Sequence, residues 1–296
     1  SVSFARTEEF RLKDERKRAL EQWFPHTPAV FWSDTCVEHN GFFGSHTSNL
    51  REPSPGSSST DQIARSVVAD DQEVVSTYFR LIVKILESPD RGSQSSASST
   101  SSRADYRWHE MGFMSLSSET KSVIICFDVP DSVIKDLHKS LPTNTGQIKG
   151  PYGLHILLLE ELIKLYDRSI WAMAKKQRLA ESGRRSSTTP SLPSSLPPLP
   201  NDPAKPKGLA RTTENFEYLF EISRHLAHSV ETTQIATEVV ERMRDACNSL
   251  LLTQRTPILV SRVQRLSFLH SLLRGLSARS VSNEKRLTSE QVLVSA

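Results

Sequence analysis

Apolar positions recur in two rhythms along this chain, and the two rhythms predict different elements. The segment EVVSTYFRLIVKILE (73–87) does not alternate cleanly, so helix and strand compete there. Its density of Val, Thr, Tyr, Phe and Ile decides for a strand. YRWHEMGFMSL (106–116) does alternate, with Tyr106, Trp108, Glu110 and Gly112 on one face. KSVIICFDVP (121–130) is a continuous apolar strand stopped by Asp128 and Pro130. Together 76–86, 106–116 and 121–130 predict one sheet. Asp131 caps a short helix, SVIKDLHKSL, which ends before Pro142. A turn, GQIKGPYG, then leads into a long helix over 152–178. Its Leu154, Leu157, Leu158, Leu162, Leu165 and Ile170 recur near a period of 3.6.

From Thr212 the rhythm is helical throughout. Phe216, Leu219, Phe220, Leu226, Val230, Ile235, Val239, Met243, Ala246 and Leu250 follow a heptad-like seam with no break before Pro257. One helix is predicted over 212–253, and a second from Val260 to about Leu293. Leu250, Leu251, Leu266, Leu269 and Leu273 are left needing a partner. At the other end, TEEFRLKDERKRALEQ (7–22) reads as a charged helix with Thr7 as its N-cap. CVEHNGFFGSHT reads as a short strand or loop that buries Phe42 and Phe43.

The expected fold is an α/β (α+β) N-terminal domain followed by a long-helix stalk. The chain divides into a charged helix at 1–24, an α/β domain at 25–180, a linker at 181–211 and a helical stalk at 212–296. Eight of the fifteen residues in 88–102 are serine, which predicts a disordered insertion in a long hairpin connection. The linker holds seven of the 16 prolines, and PSLPSSLPPLP favours polyproline II. A plain spacer outweighs an SH3 or WW ligand there.

Composition narrows the function. Lys and Arg number 37 against 34 Asp and Glu, a net charge of +3, which excludes a strongly basic nucleic-acid binder. Only three cysteines are present, Cys36, Cys126 and Cys247, which excludes a four-thiolate zinc site and argues for a reducing compartment. No signal-peptide core and no run of 18 apolar residues occurs, so the chain as it stands reads as cytoplasmic. Charge is uneven between the two last helices. Residues 212–253 hold three basic and seven acidic residues, and 254–296 hold seven basic and two acidic. Pairing between the two helices and attraction of the basic one to anionic lipid explain this equally well.

No catalytic constellation assembles, and the chain is read as a non-enzyme. GxSxG, GxxxxGK[ST] and HExxH are all absent. The one metal-like pattern is Glu221, His225 and His228, whose spacing of four and three places them on one helical face. A solvated polar stripe outweighs a divalent-ion site there. His109 and Glu110 are adjacent strand residues and point to opposite faces, so they cannot act on one substrate. Asp128 ends a buried strand, and capping the following loop outweighs a catalytic carboxylate.

Several stretches resemble fungal CorA-like divalent cation (magnesium) transporters. The Tyr-x-Trp-x-Glu-Met-x-Phe segment of that family is matched by Tyr106, Trp108, Glu110, Met111 and Phe113. Its Cys-Phe-Asp-x-Pro strand end is matched by Cys126, Phe127, Asp128 and Pro130. HILLLEELIKLYDRSIWA and SRHLAHSVET are similar to the family as well, and the likeness spans about 30–290. The resemblance implies a cytosolic, regulatory α/β domain leading into a stalk helix, with Mg2+ as the ion concerned and a weak homo-oligomer formed through the stalk leucines. In that family two membrane helices and a Gly-Met-Asn loop follow, and neither occurs here. The expectation is therefore the cytosolic part alone, attached to the cytosolic face of a membrane only through a further C-terminal segment. The rival expectation is a cytosolic helical interaction module with no transport role.

Overall fold

The apolar runs of the first half become strands, and the 3.6-period runs of the second half become three long helices. A computed structural model describes residues 1–8, 14–49, 73–86, 106–119, 121–141, 148–188 and 207–295. Five strands, β1 (Val2–Ala5), β2 (Gly41–Asn49), β3 (Glu73–Leu86), β4 (Tyr106–Ser117) and β5 (Ser122–Phe127), form one sheet in the order β1-β5-β4-β3-β2. The pairings are antiparallel except β1 with β5, which is parallel. The three strands expected in one sheet are adjacent in it, and β3 is a strand along its 14 residues. The helices are α1 (Asp14–Trp23), α2 (Asp34–Glu38), α3 (Asp131–Ser140), α4 (Gly153–Thr188), α5 (Lys207–Gln254) and α6 (Pro257–Ser295). A mixed sheet followed by long helices is the fold class that the pattern predicted.

The two faces of the sheet bury different things. Phe79, Leu81 and Val83 of β3, Met111 and Phe113 of β4, and Ile124 and Cys126 of β5 form one core with Leu154, Leu158, Leu162 and Leu165 of α4. Phe79 and Phe113 stack across the strands at 4.5 Å between ring centroids. Val239 and Met243 of α5 and Leu266 and Leu269 of α6 close the same core. The opposite face carries a smaller cluster, Val74, Met114, Leu116 and Phe127, under Leu20 of α1 and Phe24 just after it. α4 is buried nearly all round in its first half because the sheet, α3 and α6 surround it. Its entry turn fits the expectation for GQIKGPYG, with Gly150 at φ +80°.

Four expectations change. Val2–Ala5 is a strand rather than part of a charged N-terminal helix. Four residues are too few for any rhythm to register, and the partner that makes them a strand lies 120 residues away. α4 runs on to Thr188 and α5 begins at Lys207, so both ends of the expected linker are helical. Residues 189–206 and the Ser-rich 88–102 lie outside the described residues. Phe42 and Phe43 are half-buried, because β2 is an edge strand.

The fourth change concerns the stalk. α5 and α6 do not project as a free rod. They fold on each other as an antiparallel hairpin, with Gln291 reaching Leu219, Ser280 reaching Ser229, and His270 reaching Glu241. Arg255, at φ +36°, and Thr256 make the turn, and the Thr256 hydroxyl caps α6 by accepting from Leu259 N–H at 3.3 Å. α5 is also packed on β2 and β3, and α6 on α4. Leu250, Leu266, Leu269 and Leu273 are therefore already buried within the chain, and Leu251 is half-buried. The leucines expected to seek a second copy have partners in their own molecule. Among the described residues no helix is long and apolar enough to cross a membrane.

Candidate functional site

At the far end of the β3–β4 ladder, Lys84 lies opposite Trp108, and Leu86 lies opposite Tyr106. The Lys84 ammonium sits over the Trp108 ring at 4.6 Å and near the Tyr106 ring at 5.2 Å. α5 crosses this end and lays His225 on Tyr106 at 3.6 Å between centroids, and His228 edge-on to Trp108 at 5.3 Å. Lys84 is 7% exposed, an unusual place for an ammonium. Burial, then the Arg224 charge, holds its pKa below the ordinary lysine value, while Glu221 pulls the other way.

His225 is 4% exposed, and neither of its ring nitrogens has a hydrogen-bond partner. Burial, followed by the charges of Lys84, Arg224, His228 and Lys176, pushes its pKa down to about 4. It is therefore neutral near pH 7, with one N–H to donate and one lone pair to accept. Tyr106, buried beside Glu221 and Tyr218, has its phenol pushed up to about 12.

The sequence pattern Glu221, His225 and His228 is thus only partly a cluster. Glu221 lies 3.7 Å from His225 Nε2, but His228 turns to Glu231 at 3.8 Å. The aromatic rings of β4 separate the two imidazoles' surroundings. Among the described residues no group of three or more His, Cys, Asp and Glu converges as a metal site.

A second histidine cluster lies deep in the core. His155 of α4 is 2% exposed, and its Nε2 is 2.8 Å from Thr77 Oγ1 and 3.0 Å from Ser115 Oγ. Thr77 and Ser115 also bond each other at 2.6 Å across the ladder. Burial, with Arg262 adding to it, pushes the His155 pKa down to about 3. A hydroxyl beside an imidazole invites a nucleophile reading, but both hydroxyls are sealed between sheet and helix. No substrate atom can approach there.

The remaining candidates have structural partners. Asp128, at φ +55°, accepts the Thr7 backbone N–H at 3.2 Å and also the Thr7 hydroxyl. It ties the segment after β1 to the end of β5, instead of capping the loop that follows it as the sequence led one to expect. Glu110 accepts from Arg80 at 2.6 Å. Cys126 and Cys247 are buried, and burial pushes both thiols up to about 12, which leaves them unreactive. A cleft of about 1120 Å³ opens beyond the ends of β1 and β5. Arg6, Arg107 and Arg168 line it together with Glu8, Asp128 and Asp131, so its charge is mixed.

The basic residues of α6 answer the charge question in a third way. Arg265 pairs with Glu160, and Arg286 with Glu181, both on α4. Arg279 lies over Trp171 of α4 at 4.3 Å, and Arg262 donates to the backbone oxygens of Lys149 and Pro151. The acids of α5 meet α6 only where Glu241 lies 4.0 Å from His270 among the described residues. The excess basic charge of α6 faces α4, not chiefly α5.

Sequence reading passed over Lys84 and His155. Lys84 was legible as one of two cations, with Arg80, inside a 14-residue strand rich in apolar residues, a position that requires a partner. His155 was hidden among leucines, and nothing in its own neighbourhood marks the two hydroxyls that meet it.

No family model matches the chain, and no curated protein matches it. Among solved structures, the ZntB cytoplasmic domain from Vibrio parahaemolyticus RIMD 2210633 is similar with a TM-score of 0.44 and 13% identity. The alignment covers 99% of this chain and 86% of that one.

Proposed function

We propose that this chain is the non-catalytic, cytosolic regulatory domain of a CorA-like divalent cation transporter. The observation that carries the reading is where the family-like stretches meet. YRWHEM of β4 and SRHLAH of α5 are separated by more than 100 residues, yet they pack on each other through Tyr106 with His225 and Trp108 with His228. Those stretches form the joint between the sheet and the helical hairpin. In a regulatory domain that joint transmits the position of the helices to the sheet. Magnesium, in this reading, is the ion whose transport the domain governs, and a further segment supplies the membrane-spanning part.

A second reading, a helical interaction module with no transport role, is favoured by one observation. α6 exposes Phe268 at 62%, with Leu272, Ile258 and Val260 also exposed. Sedimentation velocity from micromolar to submillimolar protein, with and without millimolar MgCl2, separates the two. The regulatory reading expects weak, concentration-dependent self-association that magnesium shifts. A strictly monomeric, magnesium-insensitive species removes it and favours the interaction module.

A further inference from the structure

We propose that the exposed face of α4, from Lys164 to Leu179, is a docking surface for an acidic segment of a partner protein. The surface is independent of the transporter reading. Over 161–179 the exposed positions of α4 are Lys164, Arg168, Trp171, Lys175, Arg178 and Leu179, and no acid is among them. The first five follow one another at steps of four and three, which places them on one helix face. From Lys164 to Arg178 that face runs about 21 Å along the helix axis.

The other acids of α4 are engaged away from this face. Glu160 pairs with Arg265 and Glu181 with Arg286, both on α6. Glu161 accepts from Lys164 at 2.7 Å and from the Ser140 hydroxyl at 2.9 Å. Within 162–180 the one acid is the half-buried Asp167, against five basic residues. Asp136, which feels the Arg168 charge, is bonded to Lys139 at 2.9 Å. Arg168, Lys175 and Arg178 thus have no ion pair with a carboxylate among the described residues. Arg279 of α6 adds a further exposed cation, lying over Trp171 at 4.3 Å. Like charges at these spacings weaken a helix, as with Lys175 and Arg178, and carboxylates brought by a partner relieve that repulsion.

The occupant is a segment whose acids recur at the same steps of three and four, with an apolar residue opposite Trp171. Trp171 is 41% exposed and Leu179 57%, so the strip offers apolar contact in its middle and at its end. The arginine forks accept carboxylates in a bidentate manner. The strip is one helix face wide, and toward α6 the Glu160–Arg265 and Glu181–Arg286 pairs border it with cancelling charges. A lipid surface presents a plane of charge, and beyond these borders it meets no excess cation. A nucleic-acid strand gains from an open aromatic face, whereas Trp171 already carries guanidinium groups at 4.3 and 5.9 Å. A single row of carboxylates suits the strip best.

Fluorescence anisotropy with the full chain tests this at neutral pH and low salt. The probe is a fluorescein-labelled helical peptide with glutamates at steps of three and four and one leucine among them. Its control has the same composition with the glutamates spread around the helix. Saturable binding is expected, tighter for the patterned peptide and weaker as salt is raised. Lys175→Glu should weaken it about tenfold, and Arg178→Gln should act in the same direction. Arg242→Glu, the same charge change at an exposed position of α5, should leave binding unchanged. All three variants alter exposed side chains and should melt as the unaltered protein does. Absence of saturable binding, equal binding of the two peptides, or an equal loss in Lys175→Glu and Arg242→Glu overturns the proposal. So does tighter binding of phosphatidylserine vesicles or of a single-stranded oligonucleotide that Lys175→Glu abolishes, because the face then serves a membrane or a nucleic acid.

Discussion

His155 and His225 are both buried and both held far below the ordinary histidine pKa, yet their surroundings are opposites. His155 sits in the middle of the sheet's larger core, with two hydroxyls on Nε2 and leucines around it. His225 sits at the end of the ladder with no hydrogen-bond partner and with cations around it. The first environment is closed by packing, and two hydroxyls meet Nε2 while Nδ1 has no hydrogen-bond partner. The second is walled by the rings of Tyr106 and Trp108, with the charges of Lys84, Arg224 and Lys176 acting on the imidazole. A buried polar group that finds partners inside the fold specifies the fold. One that lies among like charges has its protonation set by them instead.

The sharpest way to break this contrast is to open the sealed region. Leu158, buried in the core beside α4's other leucines, should cost about 2–4 kcal/mol on replacement by Ala. Urea denaturation reads it, and a loss well under 1 kcal/mol would mean that the His155 region is not close-packed.

Acid comes next. The unfolded chain binds protons between pH 6.5 and about 4 that both folded histidines refuse. Stability is therefore fully present above pH 6.5 and falls as pH is lowered through that window. His155 alone should remove on the order of 3 kcal/mol between pH 6.5 and 4. A His155→Gln variant should flatten the decline, measured as the urea midpoint against pH.

The smallest effect on stability is expected at the open end. Lys84→Met removes a cation–π contact worth roughly 1 kcal/mol but also a buried charge, so stability should change by less than about 1 kcal/mol. The same substitution should raise the His225 pKa, because one of the like charges that depress it is gone. A large loss of stability with no change at His225 would make the two regions alike.

Much of this architecture was legible in the sequence. The β-branched content of 73–87 outweighed its poor alternation, and β3 is a strand. The leucine stripe of 154–165 found the sheet. The break before Pro257 falls at the turn between α5 and α6. What escaped was set by distant partners. β1 exists because β5 offers an edge, and the basic charge of α6 is met by α4, a helix about 100 residues earlier. A heptad-like seam does not say whether its partner is another copy or the next helix, and here a two-residue turn returns the chain onto itself. Of the candidate site, His225 and Glu221 were legible as neighbours on one helix face. Their true companions, Lys84, Tyr106 and Trp108, were not, because helix spacing cannot report the sheet lying across it.

The direct test of the contrast follows both imidazoles by nuclear magnetic resonance, titrated with pH in the unaltered protein and in Lys84→Met. In the unaltered protein both should titrate well below the ordinary value, His155 to about 3 and His225 to about 4. In Lys84→Met the His225 pKa should rise, since one of the like charges that depress it is gone. His155 should stay unmoved. Equal responses at the two histidines, or none at His225, would contradict the account.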